Sequence, residues 1–269
     1  MDEEWEVAAW LPYCAVIRKC MYLSNCIQPD ISFAIWELAK FMLNYGAKYF
    51  EATKHLLWYL QGMCSRGITY GNKPNLYPIF KAFTNSDWAM SENCKSICGF
   101  MIKCGNGPLT WSSKQQVIIA LLLCEAKYIA CSYCAHQILW LCSLFIELRF
   151  PQNYPTPLYC NNQGTVACTH DPQSHLWMKH INIQAHFICD MVNNNLIDIH
   201  HIPGVENPAD LFTKPFHWTT HHKWLIWLSM VSDHSDDNDN TTGHRSQGGV
   251  MTYWSDPLQS RYIRHFLVQ

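Results

Sequence analysis

Ala82-Phe83-Thr84-Asn85-Ser86-Asp87-Trp88 reads as an apolar strand running out into a turn. Asn85 and Asp87 stand two residues apart, which on a strand puts both side chains on one face. The period of the flanking sequence decides what sheet this strand joins. Leu76 to Asn85, Ser96 to Lys103 and Pro108 to Ser113 read as three strands, the last two joined by a turn at Gly105-Asn106-Gly107. A long helix from Cys124 to Leu148 follows, then a strand at Pro157 to Cys160. Helices at Gln163 to Thr169 and His180 to Asn194 come next, and a last strand runs from Ile197 to Ile202. Three antiparallel strands followed by strand and helix in alternation predict an α+β or α/β fold, with a mixed five-stranded sheet flanked by helices.

Upstream the pattern is helical, with segments expected at Tyr13 to Leu23, Pro29 to Asn44 and Ala47 to Met63. Pro29 suits a helix start, where its missing N–H has no partner to lose. Ile31, Ala34, Ile35, Leu38, Phe41 and Met42 recur at three and four and make one apolar face. Gly67 to Gly71 reads as a short strand, and Asn72-Lys73-Pro74-Asn75 as a loop. The expected divisions are a small helical region over 1–74, a sheet domain over 75–216, and a closing helical stretch over 217–231. Residues 232–269 form an expected disordered tail, since Ser232 to Gly249 has almost nothing to bury.

Composition narrows the function classes. The formal charge of −2 leaves no overall basic footprint for nucleic acid. No run approaches eighteen apolar residues, so no membrane partner is expected. The acidic start Met1-Asp2-Glu3-Glu4 lacks the regions of a secretory signal and predicts an intracellular protein, in cytoplasm or nucleus. The 14 cysteines then read as scattered free thiols rather than a disulfide framework. Cys131-Ser132-Tyr133-Cys134 has the spacing of a zinc half-site but lies in a helical pattern with no second pair at a suitable distance.

Several ordered motifs carry a resemblance. They are Met21-Tyr22-Leu23, Pro29-Asp30-Ile31, Lys95-Ser96 with Gly99, Trp111-Ser112-Ser113-Lys114-Gln115, and Glu125-Ala126 with Tyr128-Ile129-Ala130. Lys179-His180-Ile181, His186-Phe187, Pro208-Ala209-Asp210 and Thr213-Lys214-Pro215 continue the series. Residues 12 to 216 resemble the C-terminal end of copia-type retrotransposon Pol polyproteins, namely the end of the reverse transcriptase followed by the ribonuclease H domain. No integrase, protease or polymerase palm motif is present, so the resemblance implies a fragment of that polyprotein.

It also implies a chemistry. Ribonuclease H hydrolyses the RNA strand of an RNA–DNA hybrid with two Mg²⁺ ions held by clustered carboxylates, the hard oxygen ligands that Mg²⁺ prefers. The family's four carboxylate positions fall on Asn85, Lys127, Asn161 and Asp210, of which Asp210 alone keeps its acid. Four carboxylates would carry −4, whereas these four residues sum to zero. A Lys ammonium 4 Å from Mg²⁺ is repelled by about 8 kcal/mol at an effective dielectric of 20. Weak metal binding by Asp210 with Asp87 is the remaining expectation. Glu125 is no substitute for Lys127, because two residues along a helix turn a side chain by about 200°. Taken singly, Asn85 and Asn161 are ordinary polar groups at strand ends and Lys127 a solvated helix residue. His180, His186, His200 and His201 match no ligand cluster and read as surface or packing residues.

Only 6 of the 19 basic residues are Arg. Gln28, His55, Trp58, Cys142, Trp177, Gln184 and Cys189 stand where the family often has Arg, and Leu176, Met178 and Asn182 where it has Ser, Thr, Asp or Glu. All are reachable by C-to-T or G-to-A transitions, as are the three site changes. The hypothesis is decay by cytosine deamination, and a mixed substitution spectrum in the nucleotide sequence would refute it. Three functions follow: a catalytically impaired ribonuclease H-like remnant, a domesticated nucleic-acid-binding or interaction module, or a nuclease with a rebuilt metal site. The resemblance implies RNA–DNA hybrid as partner, with Lys114, Lys179 and Lys214 left to contact it.

Overall fold

The computed structural model describes residues 13–71, 79–91, 93–170 and 182–232. Two compact units divide the chain, one built from residues 13–69 and 215–232, the other from residues 70–214. The second unit is thus inserted in the chain between the two parts of the first.

In the first unit α1 (Tyr13–Cys26) is followed by a 3₁₀ turn (Pro29–Ile31), α2 (Ser32–Ala39) and α3 (Ala47–Gly62). The single helix expected from Pro29 to Asn44 is shorter at both ends. Pro29 opens a 3₁₀ turn, and beyond Ala39 the chain tightens into three-residue bonds, Phe41 N–H to Leu38 and Asn44 N–H to Phe41. The Tyr13 hydroxyl donates to the Leu38 carbonyl at 2.7 Å, tying α1 to α2. Tyr59 of α3 donates its hydroxyl to the buried carboxylate of Asp30. The short strand β1 (Arg66–Ile68) pairs antiparallel with a strand at Met230–Ser232. The closing helical stretch therefore ends sooner than expected, at Trp227, where Ser229 turns the chain with φ 56°.

The second unit contains β2 (Phe80–Asp87), β3 (Ile97–Cys104), β4 (Gly107–Gln115), α4 (Leu123–Glu147) and β5 (Thr156–Cys160). After these come α5 (Gln163–His170), α6 (Asn182–Asn193), β6 (Ile197–His201) and a 3₁₀ turn at Pro208–Phe212. Its sheet has the order β4-β3-β2-β5-β6, with β2–β3–β4 antiparallel and β5 and β6 parallel to β2. This is the mixed five-stranded sheet the periodicity predicts. Gly105 takes φ 63° in the β3–β4 hairpin, a conformation that costs glycine little.

The core lies between the sheet and α4. Phe80, Ala82, Ile102, Leu158 and Ile197 meet Ile129, Ile138 and their neighbours, all buried. An 18-residue window of α4 has a mean hydropathy of 1.6, long and apolar enough by composition to cross a membrane. In this fold the first half of the helix is instead wrapped by sheet and helices, so every residue from Glu125 to Ser132 is buried. Its start is capped by Glu125, whose carboxylate accepts the Leu121 and Leu122 N–H groups at 2.7 and 3.1 Å. Its end is marked by Arg149 at φ 69°, followed by Pro151.

Candidate functional site

The four residues that the resemblance points to come together. Asn85 and Asp87 lie at the end of β2, Lys127 in the second turn of α4, Asn161 just after β5, and Asp210 in the 3₁₀ turn after β6. Asn85 pairs with Gly99 of β3. A Cβ on Gly99 would stand 2.7 Å from Phe212 Cβ, 2.8 Å from Thr213 Cγ2 and 2.9 Å from the Ala209 carbonyl oxygen. Only a glycine lets the 3₁₀ turn lie this close to the sheet and bring Asp210 against Asn85.

Asn207 fixes the same turn from the other side. Its Oδ1 accepts the Ala209 N–H at 3.1 Å as an N-cap, and its Nδ2 donates to the Thr84 carbonyl at 2.9 Å. Sequence reasoning did not single out Asn207, although an Asn directly before Pro208 carries a readable signal of cap followed by Pro at the first position.

The side chains form one hydrogen-bonded chain. Lys127 Nζ donates to Asn85 Oδ1 and to Asn161 Oδ1, both at 2.5 Å. Asn85 turns its Nδ2 the other way, donating to the Asp210 carboxylate and, at 3.2 Å, to Thr213 Oγ1. Lys214 Nζ pairs with the other Asp210 oxygen at 2.5 Å. Every polar atom of Asn85 is thereby used, and the ammonium group lies between two amide oxygens. The solvated-lysine reading of Lys127 does not survive, because the residue is 6% exposed.

Electrostatics follow from burial with charge. Desolvation pulls the Lys127 ammonium below the usual lysine range, opposed by the nearby Cys160, Asp210 and Asp87. Desolvation likewise raises the Asp210 carboxyl against the pull of Lys214 and Lys127. Asp87 is raised by burial and by Asp210, with Lys214 and Lys127 opposing. With Asp87 and Lys214 included, two carboxylates face two ammonium groups and the cluster is neutral.

These residues do not fit a pair of magnesium ions. Two of the four positions are amides, the third is an amine in direct contact with both, and the one retained carboxylate is ion-paired. Glu125 points its carboxylate at the α4 start. Among the described residues no group of three or more His, Cys, Asp and Glu could hold a metal. Cys131 and Cys134 are buried in the core. His186, His200 and His201 are exposed, and His200 pairs with Asp198 at 3.1 Å. Of the lysines expected to meet nucleic acid, Lys114 is exposed on β4, Lys214 pairs with Asp210, and Lys179 lies outside the described residues, as do Leu176, Trp177, Met178 and His180.

Strand order, crossover and helix placement define a ribonuclease H-like α+β fold. The comparisons give the family. The chain is 31% identical over 235 residues to the retrovirus-related Pol polyprotein from transposon TNT 1-94 of Nicotiana tabacum, covering 87% of this chain and 17% of that one. It is 32% identical over 222 residues to the polyprotein from transposon RE1 of Arabidopsis thaliana, covering 81% and 15%. With transposon RE2 of the same plant it shares 31% over 206 residues, covering 76% and 14%. The chain belongs to the Pol polyproteins of copia-type retrotransposons and spans less than a fifth of the length of these relatives. No protein-family model and no solved structure matches it.

Proposed function

We propose that residues 70–214 are a ribonuclease H-like domain whose ancestral activity was hydrolysis of RNA in RNA–DNA hybrids and which no longer performs it. One observation carries this reading: the Lys127 ammonium, held at 2.5 Å by Asn85 and by Asn161, stands among the positions where the resemblance requires anions. An internal cation does the charge balancing that a metal would do, so Mg²⁺ meets repulsion and too few oxygen ligands. A second reading, a binding module without catalysis, draws on the exposed Lys114.

The test is cleavage of an RNA–DNA hybrid by the full chain with Mg²⁺ and with Mn²⁺, beside the triple variant Asn85→Asp, Lys127→Glu, Asn161→Asp. The present chain should be inactive with both metals and the triple variant active. Cleavage by the present chain that Asp210→Asn abolishes would overturn the proposal. Salt-dependent binding of uncut hybrid would favour the second reading.

A further inference from the structure

Between β4 and α4 the chain runs Gln116-Val117-Ile118-Ile119-Ala120-Leu121-Leu122-Leu123-Cys124, nine residues without a charge. Val117 is 69% exposed, Leu121 67% and Leu122 57%, and Ile119, Leu123 and Trp88 are also exposed. Single exposed apolar residues are ordinary, but a continuous run of them is not.

This loop is fastened at several points. The buried Gln116 donates to the Ala126 carbonyl at 2.7 Å and to Ser86 Oγ at 3.3 Å. Trp88 Nε1 donates to the Ala120 carbonyl at 3.0 Å, and Ala120 itself is buried. The Leu121 and Leu122 N–H groups are held by Glu125. Held in this way, the loop presents its apolar side chains outward from a fixed backbone, and little ordering remains to oppose association.

We infer that this face is a self-association surface, on which two copies of the chain pair about a two-fold axis. At about 200 Å² for a whole large side chain, the six exposed residues offer about 600 Å². Twice that reaches the lower bound of about 1,200 Å² for a specific interface. A two-fold contact juxtaposes identical patches, and an uncharged run is the kind of surface that does so without opposing like charges. A lipid surface is the poorer fit, since the cations flanking the run are Lys114, exposed, and Lys127, buried, which among the described residues make no basic cluster for anionic headgroups. Nucleic acid is poorer still, because its partner surfaces are polar and basic. Trp88 follows Asp87, and Leu123 begins the helix that carries Lys127, so pairing here would border the candidate site on two elements.

Sedimentation velocity of the full chain over the micromolar range tests this, with Leu121→Lys as the disrupting variant. Leu43→Lys, at a fully exposed position in the other unit, is the control. The present chain should form a closed dimer of twice 31.3 kDa. Leu121→Lys should weaken it at least about tenfold, the effect of a charge placed in an apolar contact, while circular dichroism and Leu43→Lys stay unchanged. Monomer throughout, open-ended larger species, or a dimer indifferent to Leu121→Lys would overturn the inference. So would flotation with phosphatidylcholine–phosphatidylserine vesicles that Leu121→Lys abolishes, which would assign the patch to lipid instead.

Discussion

Asn85 and Gly99 face each other across β2 and β3, and the side chain missing from Gly99 is what lets Asp210 reach Asn85. The site is thus built from one polar residue and one absence. Gly99→Ala must displace backbone at Ala209 as well as side chains at Phe212 and Thr213. The expected loss is about 1–3 kcal/mol, the usual range for overpacking a filled site, read from urea unfolding. A smaller loss would mean that the turn holding Asp210 yields more easily than its contacts suggest.

Lys127→Met tests the internal cation. The variant removes a buried charge, which favours folding, but leaves Asn85 Oδ1 and Asn161 Oδ1 without their donor. The unsatisfied buried acceptor on Asn85 costs about 1–3 kcal/mol, and Asp210 loses one of its two cations, so net destabilisation is expected. A more stable variant would mean that desolvation of the ammonium outweighs its hydrogen bonds.

In the first unit Tyr59→Phe should cost about 1.5–3 kcal/mol, the range for a hydrogen bond to a charged group. Burial already raises the Asp30 carboxyl, and the Tyr59 hydroxyl is among the groups that hold it down. An acid raised in the folded state stabilises most at low pH and loses that contribution as pH rises through its folded value. Removing the hydroxyl raises the carboxyl further, so the deficit of Tyr59→Phe should grow from pH 4 to pH 7. Equal deficits at both would show that Asp30 does not ionise in the fold.

Lys103 gives a pH prediction of opposite sign. Burial, with Lys81 opposite it on β2, lowers its ammonium from 10.5 to about 8. Between those values the unfolded chain binds more protons than the folded one, so this group's contribution to stability rises with pH. Lys103→Met should therefore gain stability at pH 7, and its advantage should shrink by pH 10. Unfolding midpoints of both proteins at the two pH values check this, and an advantage that does not change with pH would refute it.

Much of the fold was legible in the chain. Apolar residues clustered at Phe80 to Phe83 and Ile97 to Ile102, the Gly105 turn and the apolar run after Leu123 locate strands and helix to within a few residues, because strands buried on both faces read as near-continuous apolar runs. The strand at Met230–Ser232 was not legible, since three residues paired with β1 leave no periodic signal and depend on a partner more than 160 positions away. The ends of the Pro29–Ala39 helical stretch were misjudged for a related reason. Apolar spacing continues to Met42, but beyond Ala39 the backbone hydrogen bonds close on the third residue back rather than the fourth.

At the site, sequence alone determined that the charges of Asn85, Lys127, Asn161 and Asp210 sum to zero. Charge is a property of residue type and needs no coordinates. Tertiary structure decided what those residues do to one another: that the β2 strand end meets Asp210 through the gap at Gly99, that Lys127 is buried between two amide oxygens rather than solvated, and that Asp210 is paired with Lys214. These depend on distances between residues up to 125 positions apart. A chain cannot specify such contacts by local pattern, because they exist only once the sheet and its crossovers have closed.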